Sequence, residues 1–496
     1  MTTATAQDPA TETTGLTRLR TLARELDNLR QALSLLSWDE QTKMPSPGAG
    51  DRAAAKSLLS GIVHDRATSD ELRAAIESVE DADPNNVEAA RMRRHYEQAT
   101  CIPNEFVREQ SEVVSAANQA WQQARSEDRF ELFADHLDRV FELARREAEL
   151  RGYETEPYDA LLDQYEEGMT ADVLAGLFSD LRAPSRELLD SLDAPDWSLL
   201  QQHYDVDVQR ALAPSFAESV GFDLSRGRID DTTHPFCSGI GIGDTRLTAR
   251  YIEDWLPGGI FAVIHEAGHG VYGQGVENAA LPATINGAAG MGTHESQSRF
   301  FENIVGRSLP YWEHHYPRLQ AAFPEQLGSV DVTAFHQAIN QSGPSLIRVE
   351  ADELTYNLHV GLRFELERAL LAGELAAHDL PEAWNSKMRE WVGIEPGSDR
   401  EGCLQDVHWS FGLIGYFPTY TLGNVYAAQY LQAVRADIPD LDDQLRAGTI
   451  EPLRSWFQER IYDHGEVYTG RELLTRATGQ DVDATPLVEY LRGRFG

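Results

Sequence analysis

From Leu16 onward, Leu19, Leu22, Leu26, Leu29, Leu33 and Leu36 recur at intervals of three and four, which lays one apolar stripe along a helix. Met44-Pro45 predicts its end. The same periodicity, with Glu/Arg-rich outer faces, continues to about residue 220 and is broken near Asp83-Pro84, Cys101-Ile102-Pro103 and Ala194-Pro195. This half reads as stacked helices. Between Thr232 and Gly259 the pattern changes: His234-Pro235-Phe236, a run of glycines, and the alternation from Arg246 to Tyr251 predict a short hairpin. Helices resume after Pro257, and Glu451 to Arg494 again has helical spacing.

Neither a fixed-period repeat nor a Gly/Ser-rich linker interrupts residues 16–496. The pattern therefore predicts one large, mostly α unit with two lobes: a helical N-terminal lobe over about 16–230, a catalytic part over about 231–435, and C-terminal helices over about 436–496. Trp409 to Val434 carries no charge, but Pro418, three glycines and Asn424 interrupt it, so it reads as a buried segment rather than a membrane span. Residues 1–15, Thr/Ala-rich and acidic without a basic start or an apolar run, read as a disordered tail.

Composition narrows the function classes. With 42% apolar residues in 496, the chain can build a large core, which excludes disorder and collagen-like repeats. A formal charge of −37 repels phosphate backbones and anionic lipid, so neither nucleic acid nor a membrane is an expected partner. Only three of the 43 basic residues are lysines (Lys43, Lys56, Lys387), and so acidic a surface, poor in lysine, suits screening at high ionic strength. Cys101, Cys237 and Cys403 are odd in number and far apart, which fits neither a disulfide framework nor a thiolate metal site and points to a reducing, cytoplasmic setting.

The chemistry concentrates in His265-Glu266-Ala267-Gly268-His269, an H-E-x-x-H pattern inside an apolar helical run from Gly259 to Tyr272. Four residues rise about 6 Å while turning about 400°, so the two imidazoles share a helix face and can hold one metal ion. Glu266 stands beside them, off the ligand row, where it can take a proton from the attacking water. Catalytic zinc needs a third protein ligand and an open position. An HExxHxxGxxH site is excluded, because Tyr272 and Gly275 stand where Gly and His would be required. Glu277, Glu295 and Glu302 remain as third ligands, and Glu295 leads because it opens a second helix after the glycine-rich 287–292 segment.

Further motifs follow in order: His234-Pro235-Phe236, Asp244-Thr245-Arg246-Leu247-Thr248, the HEAGH, His294-Glu295-Ser296-Gln297, Ile347-Arg348-Val349-Glu350-Ala351-Asp352, Gly402-Cys403-Leu404-Gln405-Asp406-Val407-His408-Trp409 and Gly415-Tyr416-Phe417-Pro418-Thr419. Together they resemble the motif set of the thermostable M32 (Taq-type) metallocarboxypeptidases, and Trp38-Asp39 with Met44-Pro45 is similar to that family's N-terminal signature. The resemblance spans nearly the whole chain. It implies a large two-lobed helical zincin-type fold with a long central cleft and a small sheet or hairpin near the metal helix, a homodimer, and removal of C-terminal residues from peptides with broad specificity.

Carried onto this sequence, the resemblance makes His265, His269 and Glu295 the ligands of one zinc or cobalt ion and Glu266 the general base. His408 with Tyr420, or Tyr416, matches the family's oxyanion donors. Arg348 is the expected clamp for the substrate's free carboxylate, since a planar guanidinium grips it through two parallel hydrogen bonds; its plain alternative is an ion pair with Glu350, Asp352 or Glu353. Arg246, with Arg250 on the same face of a strand over 246–251, is a further candidate for binding substrate, with plain surface pairing as its equal alternative, and that strand could pair with an extended peptide. Asp352 and Gln405-Asp406 are expected to orient an imidazole or Arg348, without individual assignments. Two rival readings remain: an endo-acting metallo-oligopeptidase, and a non-catalytic peptide-binding scaffold that keeps its metal for structure.

Overall fold

The computed structural model describes residues 14–496. Of the tail expected over 1–15, residues 1–13 lie outside the described residues, while Thr14 and Gly15 already belong to the first helix. That helix, α1 (Thr14–Thr42), stops just before Met44-Pro45, as its sequence predicts, and is followed by α2 (Ala49–Ala67), α3 (Asp70–Ala82) and α4 (Val87–Thr100). The stripe of α1 buries Leu19, Leu22 and Leu26 against Leu72, Ile76 and Val79 of α3 and Ala89 and Met92 of α4, which forms a small core of its own. Ser69 and Asn86 cap α3 and α4 by accepting hydrogen bonds from Leu72 N–H and Ala89 N–H, so side-chain chemistry sets both helix starts.

The main core begins with α5 (Asn104–Glu127), α6 (Glu131–Arg151), α7 (Pro157–Leu162), α8 (Ala171–Ser191) and α9 (Val206–Ser219). Three strands follow, β1 (Gly227–Asp231), β2 (Cys237–Gly241) and β3 (Asp244–Ala249), in the order β1-β3-β2, with β1 parallel and β2 antiparallel to β3. The expected hairpin is β2–β3. The parallel β1 was not legible, because Gly227–Asp231 alternates too little to stand out as a strand. The strand also ends at Ala249 rather than Tyr251, and β3 is central: both its edges are paired, so it has no free edge for a peptide.

The chain then runs through α10 (Leu256–Asn278) and α11 (Met291–Arg299), which continues as a π-helical turn, Phe300–Val305. Then come α12 (Leu309–Ala322), α13 (Pro324–Leu327), α14 (Val332–Ile339), α15 (Glu353–Ala372), α16 (Leu380–Trp391) and α17 (Pro418–Asp437), of which α14, α15 and α17 reach the wall of the site, followed by α18 (Leu441–Arg446), α19 (Glu451–Arg460), α20 (Gly470–Thr478) and α21 (Thr485–Phe495). Two glycines allow the central helices to touch. A Cβ on Gly268 of α10 would lie 2.7 Å from the Gln297 carbonyl oxygen of α11, and one on Gly423 of α17 would lie 2.4 Å from Cγ of Glu295. Any side chain there would push α11, and Glu295 with it, out of register. The chargeless stretch forms a turn and then α17, buried in the core, and no helix among the described residues is long and apolar enough to cross a membrane.

Candidate active site

α10 is apolar on nearly every side: Ile260, Phe261, Val263, Ile264, Ala267 and Val271 are all buried. Its polar exceptions are therefore costly unless partnered. His265 and His269 lie one turn apart on one face, with ring centroids 4.9 Å apart. Glu295 projects from α11 toward them. Its Oε2 is 3.4 Å from Nε2 of His269 and 3.8 Å from Nε2 of His265, and the three donor atoms fall within 4.8 Å of one another. Donors about 2.1 Å from a tetrahedral zinc ion stand roughly 3.4 Å apart, so this set needs little closure to hold one.

The far side of each imidazole is also arranged. Nδ1 of His265 meets Glu302 at 2.9 Å, and Nδ1 of His269 lies 2.6 Å from Nδ1 of His294 and 3.1 Å from the His294 carbonyl oxygen. Donating from Nδ1 to these acceptors leaves each Nε2 lone pair pointing into the donor cluster, the tautomer a metal requires. Arg299 braces the acids, donating to Glu295 at 2.7 Å and to Glu302 at 3.2 Å. Burial works against both carboxylates, but Arg299 and the imidazoles hold Glu295 well below the usual range and Glu302 at about 2. Glu302 therefore sits behind His265 rather than in the donor set. Glu277, the other alternative, accepts a hydrogen bond from Gly243 N–H at 3.0 Å and lies outside the cluster.

Glu266 is buried, and its Oε2 has no hydrogen-bond partner. Burial raises its pKa, which suits a base waiting for a proton. An orphaned carboxylate oxygen beside two oriented imidazoles and a second carboxylate, that of Glu295, fits a catalytic metal site better than a structural one, which would fill its positions with protein ligands.

His265, Glu266 and Glu295 open on a cavity of about 440 Å³, also lined by Arg299, Arg307, Arg348, Tyr356, Tyr420 and an aromatic shelf of Trp197 and Trp255. Arg348 is buried, yet on the cavity wall. It lies in a short 3₁₀ turn, and its partner is neither Glu350, Asp352 nor Glu353: Nε and Nη2 donate to Asp406 at 3.1 and 2.7 Å, and Nη1 donates to Tyr356 at 2.8 Å. One N–H on each terminal nitrogen is left for a carboxylate. Asp352 instead caps α15, accepting from Leu354 and Thr355 N–H, and ties down Ser342 and Gly343.

Tyr420 also lines the cavity; its hydroxyl is 3.2 Å from Nε2 of His408, and Arg348 stacks 4.9 Å from its ring. Burial keeps Tyr420 protonated and lowers His408 to about 4, leaving a phenol donor beside a neutral imidazole. Tyr416 packs edge-on behind Tyr420, 5.4 Å between ring centroids, and is not on the wall. Arg246 departs from expectation most. It forms a two-point pair with Asp244 at 2.8 and 2.7 Å, stacks 4.3 Å from the Trp38 ring and does not line the cavity, because a neighbouring acid on the same strand satisfies it first. Arg250 follows the strand and is exposed.

Sequence reasoning missed Arg299 and Arg363. Arg299 was legible as an i,i+4 partner of Glu295. Arg363 bears no motif at all.

The whole chain, not only its site, has relatives. Residues 18–495 match the family model of the carboxypeptidase Taq (M32) metallopeptidases. Thermostable carboxypeptidase 1 of Thermus thermophilus is 41% identical, covering 95% of this chain and 96% of its own, and carboxypeptidase 1 of Bacillus subtilis is 37% identical, covering 96% of each. The M32 carboxypeptidase structure from Deinococcus radiodurans superposes with a TM-score of 0.95 at 38% identity over 98% of this chain and 99% of that one. With a family match over nearly its full length and a His-His-Glu cluster able to hold a metal ion, this chain belongs to the carboxypeptidase Taq (M32) family and is a metallocarboxypeptidase.

Proposed function

We propose that His265, His269 and Glu295 hold one zinc ion, that Glu266 is the general base, that Arg348 grips the substrate's terminal carboxylate, and that Tyr420, held by His408, donates to the developing oxyanion. The observation that carries this reading is the shared cavity: Glu266, Glu295, Arg348 and Tyr420 face one space. A divalent ion in that donor set would supply Lewis acidity toward the scissile carbonyl and a nucleophilic water at neutral pH. Glu266 accepts the proton of the attacking water and then delivers it to the leaving amine. Tyr420 offers its O–H where negative charge gathers on the carbonyl oxygen. Arg348 fixes the chain end, so cleavage falls one residue from the terminus.

The finer physiology is part of the same reading: zinc with cobalt as a working substitute, a homodimer in the cytoplasm, and a surface adapted to salt, the last resting on the charge of −37 with only three lysines. Mass spectrometry of a peptide ladder, with and without chelator, tests the activity. Stepwise loss of single C-terminal residues, abolished by chelator and restored by zinc, is the expected result. Equal cleavage of C-terminally amidated peptides would remove the exopeptidase reading while leaving the metal chemistry standing.

A further inference from the structure

Gln405 and Asp406 lie outside the wall of the cavity, yet they organise two groups that act in it. Asp406 is sandwiched between arginines. Its Oδ2 accepts from Nε of Arg363 at 2.7 Å, and its Oδ1 accepts from Nε and Nη2 of Arg348. Arg363 is completely buried, and its remaining nitrogens donate to the His359 carbonyl at 2.6 Å and to Gln405 at 2.7 Å. It cannot reach substrate. It is a fixed counter-charge that anchors Asp406 from behind, and Gln405 doubles the anchor by accepting from the Arg348 backbone N–H at 2.8 Å.

The same Oδ1 faces His408. Nδ1 of that ring lies 3.8 Å from it and is buried without any hydrogen-bond partner, while Nε2 of the ring reaches the Tyr420 hydroxyl. A gap of 3.8 Å is too long for a hydrogen bond, but a buried ring nitrogen without a partner is a state that a small rotation would relieve. Arg348, Asp406, His408 and Tyr420 thus close into a ring, because the Arg348 guanidinium also stacks on Tyr420.

We propose that Asp406 is a positioning residue that couples carboxylate recognition to the oxyanion donors: it aims Arg348 at the substrate's chain end and, once that end is docked, its freed oxygen accepts Nδ1–H of a His408 that has taken up a proton from solvent, so that Nε2–H donates to the Tyr420 oxygen and leaves the phenol O–H free for the scissile carbonyl. The direction follows from charge. A substrate carboxylate shares the positive charge of Arg348, which loosens the hold of Arg348 on Oδ1 and frees that oxygen for the imidazole. The proposal rests on Arg348 being the clamp.

The test is steady-state kinetics of the zinc-loaded enzyme on a peptide with a free C-terminus and on its C-terminal amide, for the native protein, Arg348→Ala, Asp406→Asn and the double variant, with metal content and circular dichroism as checks on integrity. Asp406→Asn should raise KM for the free-acid peptide about tenfold and lower kcat about tenfold, with zinc retained. In the Arg348→Ala background it should still lower kcat, but by a clearly smaller factor and with no further rise in KM, because docking no longer governs the arm to His408; the same tenfold factor in both backgrounds would mean two independent roles and overturn the coupling. No further loss in that background would overturn the coupling, since Asp406 would then act through Arg348 alone; native kcat and KM in Asp406→Asn would overturn it outright. Native enzyme that cleaves acid and amide alike would instead remove the clamp beneath the proposal. Should Asp406→Asn fail to fold, Asp406→Glu keeps the charge between the arginines: kcat/KM at least about tenfold down in folded protein supports the proposal, and native kcat and KM refute it.

Discussion

The two ends of the cavity are built differently. At the metal end, His265, Glu266 and His269 share one helix and Glu295 lies midway along the next, so local periodicity does most of the positioning. At the clamp end, Arg348 comes from a 3₁₀ turn, Asp406 from a loop, Arg363 from the middle of α15, His408 from another turn and Tyr420 from α17. No two of them are helical neighbours. The metal end is held by backbone geometry and tuned by charge, whereas the clamp end is held together by charge itself. Damage should therefore spread differently: local at the first, and through the ion-pair network at the second.

The sharpest way to break the comparison is at Glu266. Glu266→Gln keeps the size of the side chain and removes the base, so kcat should fall about a thousandfold while bound zinc, read by atomic absorption, stays at one per chain. Unchanged hydrolysis would remove the assigned base. Next comes Arg348→Ala, which leaves Asp406 paired with Arg363 and so should fold. Loss of a buried, hydrogen-bonded charge partner for the substrate costs about 3 kcal/mol, or roughly a hundredfold in kcat/KM on free-acid peptides, and little on amidated ones. Equal losses on both substrates would mean that the arginine serves structure rather than recognition.

The same contrast explains what was legible in the sequence. The H-E-x-x-H run declares its own geometry, because an α-helix converts spacing into direction without help from the rest of the chain. Glu295 was favoured among three acids but not separable from Glu302 by spacing; the π-helical turn after Arg299 is what carries Glu302 behind His265 instead of beside Glu295. Arg348 could be named, but its partner could not, since Asp406 is 58 residues away and nearer acids were available. Arg246 is the opposite case: a motif residue whose ion-pair partner, Asp244, lies two positions away on the same strand. Charge networks between distant segments leave no periodicity to read.

Each end also rests on a buried glutamate that no motif marks. Glu166 lies under the start of α11, accepting from Gly292 N–H and the Tyr426 hydroxyl at 2.9 Å each; Glu367 lies under the clamp, accepting from Tyr158 and from Trp409 Nε1 at 2.7 and 2.8 Å. Burial raises each from 4.5 to about 7 despite these donors. A folded pKa above the unfolded one means that stability is full below about pH 4.5 and is lost as pH rises to about 7, with no further loss from these groups beyond. At about 1.4 kcal/mol per pH unit, each accounts for about 3 kcal/mol at most. Glu166→Gln keeps a carbonyl acceptor for Gly292 N–H and reverses the bond to Tyr426, its NH2 donating to the phenol oxygen, so denaturant midpoints measured from pH 4.5 to 8 should flatten by about half. An unaltered slope would mean that Glu166 is already ionised at the lower pH.

The smallest effect tests whether the metal end is as local as its sequence suggests. Glu302 touches no substrate position that the proposed mechanism needs; it acts only by holding Nδ1 of His265 while Arg299 holds Glu302 in turn. Glu302→Gln keeps a carbonyl acceptor for that N–H but loses its charge, so the imidazole becomes a weaker donor to the metal and its orientation less fixed. Zinc affinity, measured by competition with a chelator, should fall about tenfold to a hundredfold, while kcat of the fully loaded enzyme changes far less. Such a split would mark Glu302 as a support for the ligand. Unchanged affinity with a collapsed kcat would instead place it in the reaction, and the metal end would then depend on as wide a network as the clamp.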